Sequence, residues 1–191
     1  LGGFIIPGVA RVVMVQHATF CINSLCHMIG SRPYSTSHTA RDSWIAAIFT
    51  MGEGYHNYHH EFEWDYRNGV KAWQLDPSKW AIWTLSKFGL TSGLRRVPKE
   101  RILLAEMGET RRQLADRINH IQESENVGEA LWEQMLENLE AISERLTEMS
   151  NELQTATQAK IDLSKAKIRT FRAEVRTMLA EINAPIGLAV A

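Results

Sequence analysis

Three histidines within five positions carry the chemistry this sequence can be expected to do: His56, His59 and His60, in the run Gly52-Glu53-Gly54-Tyr55-His56-Asn57-Tyr58-His59-His60. On a helix these positions share one face, so three imidazoles converge on one point. Neutral imidazole is the commonest side-chain metal ligand and suits iron, zinc or copper. A lone histidine is more often packed or solvated than ligating, but three on one face are hard to explain by packing, and metal binding is the expectation. A second pair supports it. Asn23 and His27 lie four apart and share a helical face at the polar end of an apolar segment. Asparagine is a weak ligand that can hold a metal-bound water through its amide, and His27 could complete the imidazole set. On its own, Asn23 reads as a helix-packing hydrogen-bonder.

Other polar residues weigh less. His17 lies off the face of Asn23 and reads as structural. His38, in a polar loop, and His120, on a charged helix, read as surface residues. Glu53 could hydrogen-bond a ligand imidazole. Asp65, Tyr66 and Arg67 could shape a headgroup or electron-donor surface, or simply pack. Trp44, Trp64 and Trp73 could line a tunnel or fill a core.

The elements that must position these residues fall into unlike halves. The 191 residues carry a formal charge of -1, and the pI near 6.7 gives no general pull toward nucleic acid or anionic lipid. Leu1 to about Leu94 is rich in Trp, Tyr, Phe, Gly and His, with every tryptophan except Trp132. Val97 to Asn183 is charged and helix-forming, with Leu, Ile and Met at intervals. Cys21 and Cys26 are five apart and off a common helical face, so no disulfide is expected between them. The chain opens on Leu1 inside an apolar run without a basic leader, which reads as a cut through an existing element.

Residues 1–29 are mostly apolar, and a bilayer's hydrocarbon layer, about 30 Å thick, needs roughly 20 such residues in a helix. Only the part up to about Val15, interrupted by Arg11, looks lipid-compatible. Beyond it Gln16, His17, Asn23 and His27 would need partners. A buried helix of a soluble protein is the alternative, with Pro7 marking its start or a kink. Residues 30–96 are compact and irregular. Ser31-Arg32-Pro33-Tyr34 reads as a turn, Asp42 as the cap of a short helix over Trp44–Phe49, and Asp76-Pro77 as the start of a helix through Phe88. Tryptophans beside lysine on that last helix fit a membrane–water boundary, and equally an ordinary packed helix.

In residues 97–183, Leu131, Met135, Leu139, Ile142, Leu146, Met149 and Leu153 are close to a heptad seam. It falters at Thr157 and resumes at Ile161, Ile168, Phe171, Val175, Met178 and Ile182. Gly128 separates an earlier helix carrying Leu114, Ile118 and Ile121. Glutamates crowd 129–152 while 160–176 is mainly basic. Two helices folded back could pair these charges, and so could two chains side by side; solvated faces are the plain reading. Residues 184–191 read as an apolar flexible terminus.

The motifs NSLCH (Asn23–His27), RPY (Arg32–Tyr34), GEGYHNYHHEF (Gly52–Phe62), DYRNG (Asp65–Gly69) and DPSKW (Asp76–Trp80) resemble the end of the stearoyl-type, membrane-bound acyl-CoA or acyl-lipid desaturases. They occur in the family's order over about Arg11 to Val97. HNYHH preceded by GEG and followed by DYRNG is far more restrictive than HxxHH alone. The resemblance implies an all-α fold: the end of a transmembrane helix and a cytosolic helical cap, followed here by long amphipathic, coiled-coil-like helices. It also implies two non-haem iron ions, with His27, His56, His59 and His60 as ligands and Asn23 reaching iron through water.

The implied enzyme is an integral membrane fatty acyl desaturase, with cap and tail on the cytoplasmic side. It would use O2 and an electron donor, a ferredoxin or small haem protein, to place a cis double bond in a fatty acyl-CoA or acyl-lipid. No fused haem domain is visible after Gly93. The family's HxxxxH and HxxHH boxes would precede Leu1, so this stretch alone is expected to be inactive. Alternatives are a related di-iron hydroxylase, or a helical interaction protein carrying a desaturase remnant. Self-association through the tail belongs with either reading, and no nucleic acid is expected.

Overall fold

The computed structural model describes residues 2–122, 129–159, 163 and 165–182. The chain divides into two compact units, Leu1–Val97 and Pro98–Ala191. The described residues form helices and no strand, as the all-α expectation has it; two isolated bridges, Ser31 with Asp42 and Asp42 with Tyr55, are the extended pairing among them.

In the first unit, α1 (Gly2–Met28) runs for 27 residues, about 40 Å at 1.5 Å per residue, longer than a bilayer's apolar layer. It continues well past Val15, and Pro7 lies inside it. Its side chains are exposed almost all round, Phe4, Met14 and Phe20 among them. A core helix of a soluble protein would bury one face, so this apolar surface calls for lipid or protein cover.

Two short helices follow, α2 (Trp44–Phe49), which packs against α1, and α3 (His56–Glu61). The cap of α2 is Ser43, whose Oγ accepts from the Ala46 amide at 3.3 Å. Asp42, expected there, instead reaches across to α3. Its Oδ1 accepts from the amides of Asn57 at 2.8 Å and Tyr58 at 3.1 Å. Residue 55 at the start of α3 offers no side-chain cap, so a distant carboxylate satisfies two of the four free N–H groups.

Gly54 makes this approach possible. A Cβ there would stand 2.1 Å from the Ala47 nitrogen and 2.6 Å from Ala46 C, inside the backbone of α2. Asp76 caps α4 (Pro77–Lys87) through Lys79 N at 2.8 Å, as the sequence leads one to expect, and also gathers the amides of Asn68 and Gly69, each at 2.9 Å.

The second unit packs α5 (Lys99–Gln122), α6 (Glu129–Gln158) and α7 (Lys165–Ile182) pairwise against one another. Leu139, Ile142, Leu146, Met149 and Leu153 of the seam are buried with Leu103, Met107 and Leu114 of α5 and Ile168, Phe171 and Val175 of α7. The charges pair within the unit, Arg145 with Glu174 at 2.9 Å, Arg172 with Glu106 at 3.3 Å, and Lys167 with Glu152. Of the two arrangements the sequence left open, helices folded back on each other are the one found in this unit. Gly128, Ile161 and residues 184–191 lie outside the described residues, as do the side chains of Ile121 and Leu131.

Candidate metal centre

The back of α3 is fastened by hydrogen bonds, which turns its other face into a fixed platform. Asn57 is wholly buried. Its Oδ1 accepts from the amides of Tyr34 (2.9 Å) and Ser35 (3.3 Å), and its Nδ2 donates to the carbonyls of Ser35 (2.8 Å) and Ala40 (2.9 Å). Both ends of the loop over residues 34–40 are therefore latched to α3. Tyr58 is buried against Tyr34 and Phe62, and its hydroxyl donates to Asp65 Oδ2 at 2.8 Å. Burial would raise the Asp65 carboxyl, but hydrogen bonds from Arg67 and the Val97 amide hold it below the ordinary carboxylate value. The Asp65–Arg67 pair is thus engaged in packing the cap, and Tyr66 lies against Arg96.

On the open face, His56 and His60 bring their Nε2 atoms to 3.1 Å. His27 arrives from α1 with its ring 5.0 Å from His56 and 5.7 Å from His60. One nitrogen from each of these three residues lies within 4.8 Å of the other two. Two imidazoles bound about 2.1 Å from one ion at angles near 90–110° place their nitrogens about 3.0–3.4 Å apart, so the 3.1 Å pair fits a shared first-row metal. His27 Nδ1 is 2.8 Å from Thr39 Oγ1. With the proton on Nδ1 and donated to Oγ1, Nε2 keeps the free lone pair, which is how metal-bound histidines are commonly oriented.

Burial, then the neighbouring imidazoles, push His56 down to about 4. Burial also lowers His60 and His38. At neutral pH these rings are uncharged, the state in which imidazole binds metal.

His59 is half-buried and stands beside the three-residue group rather than in it, its ring 6.0 Å from His56 and 5.8 Å from His60. Asn23 lies exposed on α1 one turn before His27, also outside the group. His17 and His120 are exposed on α1 and α5. Glu53 accepts from Asn68 Nδ2 at 2.9 Å, which ties it to the DYRNG turn. Trp44, Trp64 and Trp73 are exposed and fill no core.

His38 departs from its surface reading. Its ring is 5.3 Å from His60 at a tilt of 40°, and both ring nitrogens are buried. No periodicity could have placed it there, because the Asn57 latch sets the loop's path. The one available signal was a histidine close before a second histidine cluster.

Fold and site together define an all-helical protein with a helix long and apolar enough to cross a membrane and three convergent histidines, one of them on that helix. No family model matches the chain. Curated relatives do. Over 102 residues it is 51% identical to acyl-CoA desaturase 1 of Saccharomyces cerevisiae, covering 53% of this chain and 20% of that protein. It is 50% identical over 101 residues to a probable acyl-CoA desaturase of Schizosaccharomyces pombe, covering 53% and 21%. It is 39% identical over 98 residues to an acyl-CoA C20 Delta5-desaturase of Anemone leveillei, covering 51% and 31%. The chain thus spans between about a fifth and a third of the length of these relatives. About half of it is a segment homologous to acyl-CoA desaturases.

Proposed function

We propose that this chain is the carboxyl-terminal segment of an integral membrane fatty acyl desaturase, an oxidoreductase holding two non-haem iron ions. One observation carries the reading: His27 and the α3 pair His56 and His60, from two separate helices, offer three nitrogens within 4.8 Å of one another. They do so in a chain half of which is homologous to acyl-CoA desaturases. In this reading His27, His56 and His60 hold one iron. His59, displaced from them on the same helix, faces a second, and Asn23 reaches iron through a water.

The reaction would convert a –CH2–CH2– unit of the acyl chain to a cis –CH=CH–, the two hydrogens removed joining two electrons and two protons to reduce O2 to two waters. Iron, when bound, supplies the oxidising power that no side chain has. The protein's own part is to hold these imidazoles in fixed positions. Asp42 and Asn57 do this for α3, and Thr39 orients His27. Acyl-CoA is the favoured substrate form, on the names of the relatives at half identity.

The membrane part of the proposal is supported by α1 and by exposed apolar residues on α2 and α4: Trp44, Ile45, Phe49, Trp80 and Trp83. Lys79 and Lys87 lie over the rings of Trp80 and Trp83 at 6.0 and 5.1 Å, a pairing suited to a helix at the headgroup level. The cap, residues 30–96, and the helical tail would face the cytoplasm. A ferredoxin or small haem protein as electron donor, and self-association through the tail, complete the proposal.

The full-length protein is expected to bind two irons per chain, and His59→Ala to lose them; full iron retention in that variant contradicts the assignment. Lipids of cells expressing the full-length protein should gain monoenes by gas chromatography. Hydroxy acids in their place would move it to the related hydroxylases.

A further inference from the structure

The loop over residues 34–40 is irregular, yet it is among the most firmly held segments of the first unit. Tyr34, Ser35 and Ala40 are buried, and Asn57 bonds to the loop at both ends. Two consecutive residues of this loop address the histidine cluster. Thr39 meets His27 Nδ1 at 2.8 Å, and the His38 ring stands 5.3 Å from His60. His38 lies outside every motif that carries the desaturase resemblance.

We propose that His38 is a further metal-binding imidazole of this centre, delivered to it by the loop that Asn57 latches. The inference rests on the metal-centre reading above and adds to it a residue that reading does not contain. Two observations carry it.

The first is satisfaction. A neutral imidazole has one donor and one acceptor nitrogen, and buried polar atoms in folded proteins are nearly always paired. Both His38 nitrogens are buried and have no hydrogen-bond partner among the described residues. His56 Nδ1 is the only other imidazole nitrogen in that condition among the described residues, and it belongs to the cluster itself. Polar atoms withdrawn from water and offered to no described residue are free to take a bound group.

The second is spacing. An imidazole centroid lies about 3.2 Å from the ion it binds, so two rings on one ion at 90–120° are about 4.5–5.5 Å apart. The rings of His56 and His60 are 4.5 Å apart, those of His27 and His56 5.0 Å and those of His27 and His60 5.7 Å, and those of His38 and His60, at 5.3 Å, fall inside that range. His38 therefore keeps the same spacing from His60 that the convergent rings keep from one another. It stands at the edge of the three-nitrogen group, and rotation about its side-chain bonds is the movement that would bring a nitrogen onto the ion.

The test uses full-length protein in detergent, loaded with ferrous iron, as unsubstituted protein and as His38→Gly, His38→Gln and, for comparison, His120→Ala. Iron affinity is read by chelator competition and the iron environment by Mössbauer spectroscopy. Loss of a metal-contacting or metal-orienting imidazole is expected to weaken iron binding by about ten- to a hundredfold in both His38 variants and to alter the spectrum. Added imidazole should restore both in His38→Gly, whose cavity can admit it, and His120→Ala should match the unsubstituted protein. Unchanged affinity and spectrum in the His38 variants overturn the proposal, and so does a loss in His38→Gly that imidazole leaves uncorrected. If the unsubstituted protein takes up no iron, the metal-centre reading itself fails and takes His38's part with it.

Discussion

Replacing Asn57 by alanine should unlatch the metal centre without touching an imidazole. The side chain is fully buried and makes four hydrogen bonds to the backbone of the 34–40 loop, at 2.9, 3.3, 2.8 and 2.9 Å. A neutral intramolecular hydrogen bond is worth about 1 kcal/mol net, and its buried partner left unsatisfied costs at least as much. Counting the 3.3 Å contact as weak, the expected loss is about 3–4 kcal/mol, a large share of the roughly 5–15 kcal/mol that holds a domain together. At about 2–4 °C per kcal/mol, the melting temperature should fall on the order of 10 °C. Iron affinity should fall with it, because the loop presents Thr39 to His27 and brings His38 beside His60. Asn57→Asp should do no better: a carboxylate oxygen would replace the amide that donates to the Ser35 and Ala40 carbonyls. The assay is thermal denaturation of the full-length protein in detergent with iron content measured alongside, and Asn151→Ala, on the exposed face of α6, is the control. An Asn57→Ala protein that melts within a degree or two of the unsubstituted one and keeps its iron would refute the latch.

Gly54→Ala should prevent the cap from folding, since its Cβ would sit 2.1 Å from a backbone nitrogen that cannot move independently; about 3 kcal/mol or more is expected to be lost. Gly108→Ala in α5, where a Cβ meets nothing within 4 Å, should instead stabilise the bundle by up to about 1 kcal/mol. Size-exclusion profiles and melts separate the two; equal behaviour of these variants would show that close approach is not what selects glycine at 54. In iron-free protein, acid should act on groups that oppose one another, His56 and Asp42 being the most strongly shifted of them. His56, depressed from 6.5 to about 4, leaves the folded state with fewer protons than the unfolded chain, so its contribution falls by about 3 kcal/mol as pH drops from 6.5 to 4. Asp42, raised by burial from 3.8 to about 6, gives the folded state more protons, and its contribution rises by about 3 kcal/mol as pH drops from 6 to 3.8. His60, His38 and Asp65, also held low in the folded state, add to the acid loss, so Asp42 offsets only part of it. Asp42→Asn should therefore lose stability more steeply than the unsubstituted apo-protein as pH falls from 6 to 4. Parallel pH profiles of melting temperature in the two proteins would contradict this.

The sequence by itself settled whatever depends on neighbours along a helix. Residues 56, 59 and 60 share a face because each step along a helix turns the chain by about 100°, and Asp76-Pro77 starts α4 because the cap and its amide lie three residues apart. The buried seam of α6 was legible for the same reason. The helical origin of His27 could be read too, since an apolar run of that length has few other ways to satisfy its backbone.

Tertiary structure decided the contacts between residues far apart in irregular backbone. Asp42 looks like the cap of the helix that follows it, yet Gly54 lets α2 and α3 approach so closely that its carboxylate serves α3 while Ser43 takes the nearer task. His38 looks like a loop residue at the surface, yet Asn57 ties the loop down and turns that ring toward His60. Whether the charged helices would fold back or seek a second chain was equally closed to a linear reading, because the same apolar stripe serves both. A local pattern carries its own geometry through fixed bond angles. Where a loop goes is set by whichever distant group can satisfy its backbone, and that choice exists only once the chain has folded.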